Sequence, residues 1–146
     1  MKKILLLFFV CINLLSCKQQ AGCATPTNEI VEYIIEKPLV ESISDIEGGG
    51  ECWQGYSLFL KFNTAPSFID KLLNLGYEET TWNDIEYGLT SPIDLKLDFK
   101  EGWNPENVKN KRCFSKRDSN EWTGGGDHYY LVDTDQNIAY FYGVGM

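Results

Sequence analysis

The stretch YSLFLKFNTAPSFIDKLLNLG, residues 56–76, decides the fold class. In its first half Tyr56, Leu58, Leu60 and Phe62 alternate with Ser57, Phe59 and Lys61. A two-residue period sends successive side chains to opposite faces, so this half reads as a strand, with Phe59 an apolar contact on its second face. The second half changes period. Phe68, Ile69, Leu72, Leu73 and Leu75 recur at helical spacing. Thr64 stands ahead of them as a hydroxyl N-cap with Ala65 and Pro66 in the first turn, and Gly76 sits where a left-handed residue closes a helix.

Outward from this unit the pattern stays mainly extended. Ile93, Leu95, Leu97 and Phe99 alternate with Asp94, Lys96, Asp98 and Lys100, a half-buried strand. Asn104-Pro105-Glu106 reads as one helical turn, with Asn as cap and Pro at its first position, and residues 111–117 read as a short basic strand. Tyr129–Val132 and Ile138–Val144 flank Asp133-Thr134-Asp135-Gln136-Asn137, the pattern of a hairpin. On the other side, Glu29–Glu36 leaves helix and strand open, and Pro38 closes that segment. Leu39–Ile46 reads as extended and Gly48-Gly49-Gly50 as a loop. The expected fold is α+β: a mainly antiparallel sheet with one principal helix, about residues 65–75, packed on one face, and a C-terminal β-hairpin. Residues 29–146 form a single globular domain, with no internal repeat.

The composition supports a packed core. The chain has 146 residues, 43% of them hydrophobic, with four Trp and eight Tyr, too apolar for a disordered chain. The N-terminus has a different character. Lys2 and Lys3 precede an apolar run, Ile4–Leu15, interrupted only by Asn13. As a helix those twelve residues span roughly 18 Å, short of the ~30 Å hydrocarbon core of a bilayer. That length suits the apolar segment of a signal peptide.

Leu14-Leu15-Ser16-Cys17 resembles the lipobox of bacterial lipoproteins: a branched apolar residue at −3, a small residue at −1, then cysteine. Leu15 is larger than the family's usual residue at −2. The resemblance covers the leader and Cys17 alone. It implies a signal peptide over residues 1–16, cleavage between Ser16 and Cys17, a diacylglycerol on the Cys17 sulfur and acylation of the new α-amine, a palmitate-type modification. Cys11 lies inside the apolar run behind Val10, and Cys23 has Gln19 and Gln20 where apolar residues belong, so Cys17 is the anchor. Two or more acyl chains hold a protein stably on a membrane. Lys18 is not the aspartate that retains such proteins in the inner membrane of enterobacteria, which implies the outer membrane, on its periplasmic or surface side. Residues 17–28 then read as the lipidated cysteine and a polar tether, reaching roughly 18 Å if flexible.

Thirteen basic residues less the two leader lysines leave 11 against 21 acids, a formal charge of −10 on the mature chain. Such a surface repels phosphate backbones and excludes nucleic acid as a partner class, whereas a basic protein partner suits it. Three cysteines remain beside Cys17. Cys52 and Cys113 both lie in the folded part and are the expected disulfide in an oxidising envelope, with Cys23 the odd thiol in the tether. No CxxC pair indicates a redox or zinc site.

His128 is the single histidine. Beside Asp127 it invites a general-base role, but no G-x-S-x-G supplies a nucleophile, and Ser115 and Ser119 have no motif around them. A surface or strand-edge histidine is the simpler reading. Asp133, Asp135 and Asn137 have calcium-loop spacing, but Ile138 and Val144 stand where an EF-hand needs glycine and glutamate, so a turn is expected and no metal. The triplets 48–50 and 124–126 precede Glu51 and Asp127, not the lysine of a phosphate loop. Trp53, Trp82, Trp103 and Trp122 lie near element ends, most of them core, and Tyr140 and Tyr142 fall on the face opposite Phe141. The expected function is a non-enzymatic envelope binding protein with no cofactor, in its most concrete form of immunity or inhibitor type. Its rivals are an envelope hydrolase using His128 with nearby carboxylates, and a glycan- or small-ligand-binding module built on the tryptophans.

Overall fold

A computed structural model describes residues 31–32, 34–52, 55–90, 102–118 and 126–145. The expected strand Ile93–Phe99, the leader and tether, Trp53 and Trp122 lie outside the described residues. The described chain is α+β. Its elements are α1 (Lys37–Val40), β1 (Ile43–Cys52), β2 (Tyr56–Thr64), α2 (Phe68–Asn74), β3 (Glu78–Thr80), α3 (Trp82–Thr90), a 3-10 turn over Pro105–Asn107, β4 (Lys111–Asp118), β5 (Gly126–Asp133) and β6 (Ile138–Gly145). Six strands form one antiparallel sheet in the order β1-β2-β6-β5-β4-β3. The C-terminal hairpin β5–β6 lies in its middle, with β6 also bonded to β2 along Tyr56–Asn63.

Alternation along the strands builds two cores. On one face Leu58, Leu60, Phe62, Phe114, Tyr130, Val132, Ala139 and Phe141 pack with Phe68 and Leu72 of α2, Leu39 of α1, and Val31, Ile34 and Ile35. The segment open between helix and strand has helical backbone at Val31, Glu32 and Ile34, and the Ile35 amide donates to the Val31 carbonyl at 2.7 Å. On the other face Cys113, Leu131 and Tyr140 pack with Ile85 and Leu89 of α3 and with Val108. The sheet is antiparallel as expected, with α2 on one face as the sequence indicates and α3 covering the other. The i, i+3, i+7 spacing of Trp82, Ile85 and Leu89 carries α3. Its entry is capped by the Asp84 carboxylate. Asp84 Oδ2 accepts from the Thr81 amide at 3.1 Å and from the Thr81 and Thr80 hydroxyls at 2.6 and 2.9 Å.

Three local boundaries differ from the sequence reading. The helix expected from residue 65 begins at Phe68, because Thr64 is still in β2, paired with Ile43 and donating its amide to Asn137 at 2.8 Å. Pro38 does not close a segment but sits in the first turn of α1, where a missing amide costs nothing, and the extended chain begins only at Ile43. Gly48, Gly49 and Gly50 lie inside β1 instead of in a loop. Gly48 has φ +135°, and a Cβ there or at Gly50 would run into the Phe59 or Ser57 carbonyl oxygen of β2. The glycines permit this close approach of two backbones. Just ahead, a bulge between Ser44 and Glu47 places Asp45 at φ 51°, where its carboxylate accepts from Asn63 Nδ2 at 2.8 Å.

Candidate functional site

His128 occupies β5, an interior strand, and is 4% exposed. This corrects the expectation of a surface or strand-edge histidine. Strand alternation decides its face: Tyr130 and Val132, at +2 and +4, lie in the core of the α2 side, and the histidine points with them. The Tyr56 hydroxyl, from the start of β2, lies 2.6 Å from its Nε2, and the Tyr77 hydroxyl, just after α2, lies 3.2 Å from its Nδ1. A neutral imidazole meets both by accepting from one phenol and donating to the other, while an imidazolium requires both phenols to accept.

Tyr77 is delivered there by the end of α2. Gly76, at φ +83°, lets its own amide donate to the Leu73 carbonyl and the Tyr77 amide donate to Leu72. That pair of bonds is a Schellman closure, and it drops Tyr77 back onto the core. Around the triad, Tyr130 packs edge-on to Tyr77 at 5.2 Å between ring centroids. The Tyr130 hydroxyl is buried with no well-aligned hydrogen bond among the described residues. Burial above all, then the neighbouring Tyr77, push its phenol well above the ordinary range. Lys116 closes the outer side. Its Nζ donates to Glu36 Oε1 at 2.6 Å and to the Leu75 carbonyl at 2.8 Å, and lies 5.1 Å from the Tyr77 ring centroid.

This arrangement joins β2, β5 and the chain after α2 through one imidazole, and it holds that imidazole away from water. Asp127, adjacent in sequence, belongs to the other face, where Arg117 Nε stands 4.0 Å from its Oδ1. A hydrolytic base needs reach to a substrate proton, and His128 has both ring nitrogens committed to phenols.

The remaining sequence candidates fall elsewhere. Ser16, Cys17 and Cys23 lie outside the described residues. The expected Cys52–Cys113 disulfide is not made in this fold. Cys113 is a free, buried thiol, and burial is the first cause that pushes it up to about 11. Cys52 ends β1 at the outer edge of the sheet, while Cys113 belongs to β4, with β2, β6 and β5 between them. Four interstrand steps amount to roughly 19 Å, against the ~7 Å that a disulfide permits between Cα atoms.

Asp133, Asp135 and Asn137 form the hairpin turn. Asp133 Oδ1 accepts from the Asp135 and Gln136 amides at 2.9 and 3.1 Å, and Asn137 takes φ 54°. No group of three or more metal-ligating side chains converges among the described residues. Trp103 is partly buried against the α3-side core and donates from Nε1 to the Leu89 carbonyl at 2.6 Å, while Trp82 lies with its ring centroid 4.4 Å from Lys111 Nζ. Tyr56 and Tyr77, the partners of the histidine, carry no local signal in the sequence. They stand 72 and 51 residues from it, and only the sheet order brings the three together.

No protein-family model, no curated protein and no solved structure matches the chain.

Proposed function

We propose that the chain is a lipoprotein of the bacterial cell envelope, anchored through Cys17, whose acidic domain is a non-enzymatic binding module for a macromolecular partner. The ordered succession of Lys2-Lys3, Ile4–Leu15, Ser16 and Cys17 carries the anchor. The diacylglycerol is joined through sulfur, so the membrane contact is the lipid. Among the described residues no helix is long and apolar enough to cross a bilayer. An outer-membrane destination follows from Lys18 after the anchor. The partner is a basic protein, because the domain presents a strong negative charge, and an immunity or inhibitor role against a basic toxin or enzyme is the concrete form. The sealed position of His128 supports binding over hydrolysis, since the imidazole belongs to the core.

Cys17→Ser removes the sulfur and leaves an uncleaved precursor. Mass spectrometry of the native protein finds an N-terminal peptide beginning at Cys17 and carrying acyl chains. A mature N-terminus downstream of Cys17 on a soluble protein overturns the anchor. For the binding role, cross-linking on intact cells followed by purification recovers a basic partner whose association weakens as salt rises. Hydrolytic activity lost in His128→Ala, with the fold retained, would replace this reading with the enzymatic one.

A further inference from the structure

Polar groups tie the α1–α2 layer to the sheet around His128. Tyr77, just after α2, reaches the imidazole Nδ1, while Glu36, just ahead of α1, and the Leu75 carbonyl both meet Lys116 Nζ. Lys116 of β4 is the Cα partner of His128 in the β4–β5 ladder, so the two side chains share a face. We propose that this cluster is an acid-sensitive latch: proton uptake by His128 favours an open form in which the layer has lifted from β4 and β5. The inference goes beyond the binding role proposed above and does not depend on it.

The two ring nitrogens serve complementary roles. The 2.6 Å contact of Nε2 fits the Tyr56 O–H donating to nitrogen, and the 3.2 Å contact of Nδ1 fits a ring N–H donating to the Tyr77 oxygen. Nε2 is then the atom that takes the proton. Once protonated it becomes a donor, and the Tyr56 hydroxyl must turn its own hydrogen aside. The charge also arises where water is excluded, at 4% exposure and with the Phe141 ring 5.5 Å away, and burial disfavours it. The titratable groups on this face are Tyr56 from β2, Lys116 from β4, Tyr130 from β5, Tyr77 after α2 and Glu36 ahead of α1, among the described residues. From α1, α2 and β6 come the apolar Leu39, Phe68, Leu72 and Phe141, and Asp127 and Arg117 belong to the opposite face. Phenols stay neutral in acid. Glu36 is the counter-charge of Lys116, so a proton on His128 sets a second cation beside that ion pair.

Opening relieves these costs, because water then reaches the imidazole. An exposed histidine takes its proton near pH ~6.5, and the closed form resists it. The latch is therefore at full strength above that pH and weakens as pH falls below it. Ordinary carboxylates titrate lower and thiols higher, so this window belongs to His128, the single histidine.

The test follows the full-length chain in a non-ionic detergent from pH ~7.5 down to ~5.5. The unfolding constant from urea titrations is expected to rise about tenfold, the limit for one group that titrates at ~6.5 only when exposed. Amide exchange, corrected for its own pH dependence, is expected to quicken first at Ile35 and Tyr77, whose amides donate to Val31 and Leu72, and last in β6. By NMR the one imidazole signal of the folded chain stays at its neutral position at pH ~6.5, where a free histidine is half protonated. His128→Gln keeps a polar side chain that does not titrate, and the rise vanishes. Lys116→Met removes the neighbouring cation and leaves Glu36 to the imidazolium, so the rise drops below about threefold. An unfolding constant that stays level, a rise that survives in His128→Gln or is unchanged in Lys116→Met, or an imidazole already half protonated at pH ~6.5 in the folded chain overturns the proposal. Should His128→Gln fail to fold, the imidazole signal and Lys116→Met decide.

Discussion

Replacing His128 with alanine removes the shared partner of two phenols and leaves both hydroxyls and a cavity in the core. The expected loss is about 3 kcal/mol, read as a lower urea midpoint at constant slope. Tyr130→Phe tests the opposite case. Its hydroxyl is buried without a well-aligned partner, so deleting it is expected to leave stability within about 1 kcal/mol or raise it. Cys113 gives the pH dependence. Burial raises its thiol from 9.0 to about 11, with Lys111 pulling weakly the other way. At pH 8 the thiolate fraction is roughly one in a thousand, and peptide mapping after a short alkylation is expected to find Cys113 unlabelled unless the protein is unfolded first. Between 9.0 and about 11 the folded chain keeps a proton that the unfolded chain has lost. Its contribution to stability is therefore complete below that window and falls as pH rises through it.

Two glycines separate backbone conformation from steric contact at the level of the elements. At Gly76 a Cβ meets nothing within 4 Å, and φ is +83°. Gly76→Ala therefore carries only the left-handed penalty, about 1–2 kcal/mol. Gly48→Ala adds a collision with the Phe59 carbonyl and is expected to cost more, with faster hydrogen exchange confined first to β1 and β2. The far edge is held differently. Arg112 Nε and the second guanidinium nitrogen donate to both Glu79 oxygens at 2.7 and 2.8 Å, tying β3 to β4. Those side chains are 38% and 49% exposed, so the pair contributes no more than about 1 kcal/mol. Its hydrogen bonds hold the Glu79 carboxyl below its usual range.

Over the whole molecule β6 joins the two halves of the sheet, pairing with β2 on one side and β5 on the other. Removing residues 138–146 therefore separates the β1–β2 hairpin from β5, β4 and β3, and a single cooperative thermal transition is expected to vanish in calorimetry. The alternation in Tyr56–Phe62 and Ile138–Val144, the Gly76 closure and the hairpin turn were legible in the sequence, because each is governed by neighbours a few residues apart. The same locality explains why α3 could be passed over. Its apolar face is three residues wide, and its capping carboxylate, Asp84, stands where a capping box has glutamate or glutamine. Where α2 begins, how Gly48–Gly50 run inside a strand, and which face α3 covers were decided by strand pairing across the sheet. The histidine shows the division most clearly. Residue type at 128 says what chemistry is present, but its exposure depends on a face chosen by β5, and its partners arrive from 51 and 72 residues away. The cysteines follow the same rule: sequence says that three remain beside the anchor, and strand order alone keeps Cys52 and Cys113 apart, since covalent distance along a chain does not fix distance across a sheet.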